Sequence, residues 1–160
     1  MRPQPNWSCG FTLVELIGVI AIAGILAAVA APRFFSASTF ESRGYFDAAS
    51  GFLRYAQKLA IARHQAVTVQ IDSDGLGLCS TAGNPCADAN PWPAPSGEES
   101  PYRLDVPNGI SLSANSDGSA ISSFSFDARG RPSTSQHITL TITGDSARAL
   151  TVEAETGYVH

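Results

Sequence analysis

Glu15 is the one charged side chain between Phe11 and Ala31. A carboxylate held at membrane depth costs roughly 2.5–3.5 kcal/mol on insertion scales, so such a residue calls for a cationic partner. A cut after Gly10 would create one. The amine of a new N-terminal Phe11 stands one helical turn from Glu15, on the same chain or on a neighbour. The chemistry this spacing offers is charge pairing between subunits. A second reactive pair is Cys79 and Cys86, which enclose a short segment containing Gly, Pro and Asn. In an oxidising compartment they are expected to form a disulfide, whose ring would contribute about 2–3 kcal/mol. A metal site competes with that reading. However, two thiolates with no nearby His or further Cys fall short of a tetrahedral set, and the spacing is not that of a Cys-x-x-Cys redox dithiol. Cys9 precedes the expected cut and would leave with the leader.

Other constellations are missing. His64, His137 and His160 sit in no context that would activate a nucleophile, and there is no Gly-x-Ser-x-Gly, phosphate loop or dinucleotide fingerprint. Asp72-Ser-Asp-Gly75 carries two carboxylates but lacks the rest of a calcium loop, and is read as a turn. No enzyme activity, metal or cofactor is expected. The formal net charge is −4, and a mildly acidic chain does not recruit nucleic acid by net charge.

The elements that must place these residues are read from periodicity. Residues 11–31 form an apolar run long enough to span a bilayer as a helix. A secretory signal with an Ala28-Val29-Ala30 site, or a plain single-span anchor, are alternatives, but neither explains Glu15. Pro32 comes next and is expected to kink the helix. From Phe34 to about Ala66 helical spacing continues, with Phe46, Ala49, Leu53, Ala56, Leu59, Ala60 and Arg63 three or four apart. From residue 67 the pattern changes to short alternating segments: 67–71, 102–106, 110–112, 121–126, 138–142 and 149–153. Turn signals separate them at Asp117-Gly118, Arg129-Gly130, Gly144-Asp145 and Thr156-Gly157. One face of each strand is expected to be dry and the other wet. The fold class is therefore α+β: a long helical spine packed on an antiparallel β-sheet head. The stretch 80–101, with five prolines and Trp92, is read as a loop. Its Trp is expected to pack back on the head.

The leader and helix, Gly10-Phe-Thr-Leu-Val-Glu15-Leu followed by Ile17-Gly-Val-Ile-Ala-Ile-Ala-Gly-Ile-Leu-Ala27 and Ala31-Pro32, resemble those of type IV pilins and pseudopilins. The resemblance implies the pilin fold. It also implies cleavage by a prepilin peptidase between Gly10 and Phe11, N-methylation of Phe11, and docking of Glu15 on the Phe11 amine of an adjacent subunit. The domains then divide as a prepilin leader (1–10), a transmembrane and filament-core helix (11–31), an amphipathic helix (32–66) and a β-rich head (67–160). The leader departs from the family in having only Arg2 as a basic residue, and it ends Trp7-Ser8-Cys9-Gly10.

Leu53-Arg-Tyr-Ala-Gln-Lys58-Leu-Ala-Ile-Ala-Arg63, a Val-x-Val strand and Phe124-Ser-Phe-Asp-Ala-Arg-Gly130 resemble the subfamily of GspH-type pseudopilins and FimT-type minor pilins. Arg43-Gly-Tyr-Phe-Asp47 and Tyr55-Ala-Gln-Lys58 are similar to a minor pilin of the mannose-sensitive haemagglutinin (MSHA) pilus. These resemblances imply a subunit of a pilus, or of a type II secretion pseudopilus, that helps to initiate or cap the filament. Its partners would be the prepilin peptidase, other major and minor pilins and an inner-membrane assembly platform. It would be held in the inner membrane by a single pass with its head in the periplasm, and then pass into the filament. Some FimT-type relatives take up DNA through a basic Gly-Arg-x-Arg tail. Here the corresponding residues read Gly157-Tyr-Val-His160; Arg129, Arg131 and Arg148 offer at most a small basic patch on an acidic head, so a DNA- or surface-binding tip subunit is the lesser alternative and nucleic acid is not an expected partner.

Overall fold

The computed structural model describes residues 12–80, 92, 94, 95, 97 and 102–160, apart from the side chains of 29–39. Two compact units divide the chain, 1–37 and 38–160. The helix α1 (Leu13–Arg63) contributes to both.

In the second unit, the spacing of Tyr45, Ala49, Phe52, Leu53, Ala56, Leu59 and Ala60 puts them on one face of α1, and all are buried. The stripe differs from the one expected. Phe46 is only half-buried and Arg63 is exposed, whereas Tyr45 and Phe52 lie in the core. A helical face is broad enough that period alone does not choose between adjacent aromatics. The helix ends at Arg63, three residues before the expected boundary. His64 takes φ +52, its N–H donates to Ile61 O, and Gln65 N–H donates to Ala60 O. That pair of bonds is a Schellman cap with His in the place usually held by Gly.

The head contains two four-stranded antiparallel sheets. Sheet A has the order β3-β2-β1-β6 and sheet B the order β5-β4-β7-β8. The strands are β1 (Val67–Asp72), β2 (Gly75–Cys79), β3 (Arg103–Asp105), β4 (Ser111–Ser116), β5 (Ser119–Ala120), β6 (Ser123–Phe126), β7 (Ile138–Thr143) and β8 (Ala147–Val152). The division into two sheets and the strand β2 were not anticipated. Gly75-Leu-Gly-Leu-Cys79 lacks the polar alternates that mark a half-wet strand, because β2 is buried along its whole length. Strand β1 is likewise buried on both faces, including Thr68 and Gln70. Thr68 meets this burial with a hydroxyl–hydroxyl bond of 3.0 Å to Ser125, its register partner on β6. Sheet B keeps the expected alternation. Ile138, Leu140 and Ile142 face the core, while Thr139, Thr141 and Thr143 are more exposed.

Candidate functional site

At the start of α1, Thr12 acts as the N-cap. Its Oγ1 accepts the backbone N–H of Glu15 at 3.2 Å, and its carbonyl accepts that of Leu16. Glu15 thus closes a Thr-x-x-Glu sequence of the capping-box type and carries negative charge in the first turn, where the helix dipole favours it. Local structure alone therefore accommodates Glu15 at this position. The surface beyond it is less ordinary. Leu13, Val14, Leu16, Ile17, Val19, Ile20, Ile22, Ile25 and Leu26 are all exposed. A helix apolar on every side is one that buries itself in lipid or in other proteins. Among the described residues no helix is long and apolar enough to cross a membrane. The unbroken described run here is 12–28, and both ends of the expected 11–31 span fall outside it.

The remaining expected site residues fall into two groups. Gly10, Phe11 and Cys86 lie outside the described residues. Position 32 has helical backbone, but the Pro32 side chain is not among those described. Cys79, by contrast, ends β2, is fully buried and is disulfide-bonded.

The two sequence stretches that resemble the GspH and FimT subfamily meet in space. From the exposed edge of the helix stripe, Gln57 Nε2 donates to Gly130 O at 3.0 Å and to Thr156 O at 2.9 Å. One turn earlier, Arg54 Nη2 donates to Val159 O at 3.1 Å. The turn after β6 is shaped by Asp127, whose Oδ1 accepts the N–H groups of Arg129 and Arg131. These bonds hold its carboxyl below the usual range, the Arg131 N–H contributing most. The helix is thereby fastened to two turns and to the segment that bridges Val159 back to Val152 on β8. Sequence reasoning singled out both stretches without joining them, since 73 positions separate Gln57 from Gly130.

At another edge of the head, Arg103 grips Asp72 with two bonds, at 2.7 and 3.2 Å, and reaches Asp105 at 2.9 Å. Asp72 also accepts the N–H groups of Asp74 and Gly75. Its carboxyl is held below the ordinary range, first by the Arg103 hydrogen bond and then by those backbone donors, against the opposing effect of burial. This carboxylate is committed to closing the β1–β2 turn, in agreement with the reading of Asp72-Ser-Asp-Gly75 as a turn. Among the described residues no group of three or more His, Cys, Asp or Glu is placed to hold a metal.

The Tyr45 hydroxyl lies near these charges, buried and without a hydrogen-bond partner among the described residues. Burial pushes its pKa up. An orphaned buried hydroxyl carries a desolvation penalty of about 1–3 kcal/mol. Tyr45→Phe is therefore expected to leave stability unchanged or to raise it by about 1 kcal/mol, as read by thermal denaturation. A clear loss would mean that the hydroxyl has a partner.

Arg129, Arg131 and Arg148 sit against different stretches of the helix. The guanidinium of Arg148 lies 6.0 Å from the Phe46 ring, while Arg129 and Arg131 flank the turn held by Gln57. Positions 46 and 57 are about 16 Å apart along a helix axis. Arg131 in turn faces Glu155 at 3.9 Å.

Comparison with known proteins gives two family matches. Residues 28–157 match the model described as type II transport protein GspH, and residues 8–31 match the prokaryotic N-terminal methylation motif. A curated relative, the type IV narrow pilus major component PilA5 of Thermus thermophilus, is 38% identical over 58 residues, 36% of this chain. That match spans half the length of the relative. Among solved structures, the type IV minor pilin FimU of Pseudomonas aeruginosa aligns with a TM-score of 0.59 at 18% identity, covering 79% of this chain and 90% of FimU. The minor pseudopilin EpsH from the type 2 secretion system of Vibrio cholerae aligns with a TM-score of 0.52 at 15% identity, covering 77% of this chain and 94% of EpsH. Likeness at these identities concerns the fold.

Proposed function

The chain belongs to the GspH family, and from that premise we propose that it is a minor subunit of an MSHA-like type IV pilus, entering the filament through α1 and helping to initiate or cap it. Membership makes it a pilin-like structural component that works by association with other subunits. The observation that carries the finer reading is the pairing of an N-terminal methylation motif over residues 8–31 with a helix whose apolar side chains are exposed on every face. Such a surface is stable only when lipid or neighbouring helices cover it. In this reading a prepilin peptidase cuts between Gly10 and Phe11, and the new amine of Phe11 is methylated. Glu15 pairs with the amine of an adjacent subunit, and Pro32 bends the helix between its membrane half and the head. Before assembly the chain is held in the inner membrane by a single pass with its head in the periplasm, where Cys79 and Cys86 form their disulfide. It then passes to the filament through an inner-membrane assembly platform.

The chain recovered from cells is expected to begin at Phe11, with a mass one methyl group above that of the bare peptide. Mass spectrometry of the N-terminal peptide reads this directly. A chain that retains Met1, or one trimmed beyond Ala30, overturns the proposal.

A second reading is a pseudopilin of a type II secretion system. The description of the matching family model and the likeness of fold to EpsH favour it. Deleting the gene separates the two. A pilus subunit leaves secreted enzymes at normal levels and reduces surface filaments, whereas a pseudopilin does the reverse.

A further inference from the structure

At one end of sheet A, the disulfide-bonded Cys79 stands beside Trp92. Trp92 is buried although it lies between Pro91 and Pro93. Its indole N–H donates to the carbonyl of Cys79 at 3.1 Å. Its own carbonyl accepts the N–H of Tyr102 at 2.8 Å, and the carbonyl of Tyr102 accepts the N–H of Leu78 at 3.0 Å. Trp92 therefore ties the end of β2 to the start of β3. Two contacts carry this tie to the helix. Tyr102 stacks on Phe52 with ring centroids 4.9 Å apart and meets the Tyr55 ring edge-on at 5.8 Å. The guanidinium of Arg63, the last residue of α1, lies 6.0 Å from the centre of the Trp92 ring.

We propose that oxidation of Cys79 is the switch that seats Trp92, and through it docks the edge strand β3 against β2 and the end of α1.

The strand β3 has three residues and, among the described residues, pairs on one side only. A strand that short does not hold an edge unaided. The chain must leave Cys79 and return thirteen positions later to place the indole on the Cys79 carbonyl. Closing that return costs chain entropy, and a covalent link at Cys79 reduces the cost. Cys86 is the partner the sequence offers. With the link open, Trp92 is left with the indole bond to Cys79, the bond from Tyr102 N–H to its own carbonyl, a distant cation and its own apolar area. The chemistry balances: two thiols lose two protons and two electrons to form the S–S bond, and an oxidant of the disulfide class takes up both and becomes two thiols. The link to an oxidising compartment rests on the periplasmic head of the proposed function. The coupling between Cys79 and Trp92 does not, because it is measured on purified protein.

The test uses the full chain in detergent with Trp7→Phe, which leaves Trp92 as the only tryptophan. Emission, acrylamide quenching and amide exchange are compared for protein oxidised by glutathione disulfide, protein reduced by dithiothreitol, and a Cys79→Ser variant. Opening the disulfide is expected to shift Trp92 emission to the red and to raise its quenching several-fold. Exchange at Leu78 and Tyr102 should accelerate by about tenfold or more, while Leu140 and Leu150 in sheet B stay protected. Trp92 emission and quenching that do not change on reduction overturn the proposal. Loss of protection in sheet B as well also overturns it, since the disulfide would then be a global staple. A failed coupling with Phe11 still found as the mature terminus refutes this inference alone.

Discussion

A Glu15→Gln chain is expected to keep a folded head and to vanish from the filament. Glutamine preserves what the local structure asks of position 15. Its backbone N–H still donates to Thr12 Oγ1, Gln is accepted in a capping box, and its helix propensity is close to that of Glu. Only the charge is removed. If that charge merely complements the helix dipole, the change costs about 0.3–1 kcal/mol, and incorporation continues. If it answers the Phe11 amine of a neighbour at membrane depth, the amine is left unpaired. Breaking a buried pair in this way costs about 3–5 kcal/mol, a fall in incorporation on the order of a hundredfold or more. Glu15→Ala should behave in the same way, but it also removes the length of the side chain, which makes the glutamine variant the sharper measurement. The readout is subunit content of sheared filaments against the membrane pool, with circular dichroism to confirm the folded head. A normal filament content for Glu15→Gln would leave the Glu15 charge as a complement to the helix dipole and remove the docking role.

The second large effect is expected in the head. Gly157→Ala should destabilise it by about 3 kcal/mol, lowering the melting temperature by roughly 10 °C. Gly157 has φ +67, and a Cβ there would run into the carbonyl oxygen of Gly130 and come within 2.6 Å of Gln57 Nε2. The left-handed backbone accounts for about 1–2 kcal/mol of the expected cost. The rest comes from disturbing the bonds by which Gln57 holds both turns. Gly118 supplies the control. Its φ is +75, but a Cβ added there meets nothing within 4 Å, so Gly118→Ala should cost the backbone contribution alone. Equal melting temperatures for the two variants would show that the Gln57 junction contributes nothing to stability.

Much of this architecture was legible along the chain because local physics writes it there. Apolar residues at a spacing of three and four marked the helix. Alternation marked β1, β7 and β8, and pairs such as Asp117-Gly118 marked the reversals, where both residues indeed take positive φ. The strand β2 escaped because Gly75-Leu-Gly-Leu-Cys79 has no polar alternates, whereas β1, equally buried, keeps Thr68 and Gln70 between its apolar residues. Tyr45 and Phe52 escaped because both neighbours of a helical stripe satisfy its period until a sheet chooses between them. Trp92 was expected to turn inward, and it does, but the carbonyl it would find was not readable.

The sequence by itself determined a charged start on an all-apolar helix, the switch from helical to strand period near residue 67, and the chemistry available to Glu15 and the cysteines. All of these depend on neighbours within a turn or a strand. Only the tertiary structure decided that the strands divide into two sheets, and that Gln57 and Arg54 grasp the carbonyls of Gly130, Thr156 and Val159. It also committed Asp72 to Arg103 and brought Trp92 to Cys79. The physical reason is that these contacts are hydrogen bonds and close packing between segments remote in sequence. No residue's own propensity favours one remote partner over another, and only the closing of the core brings the selected pair within bonding distance.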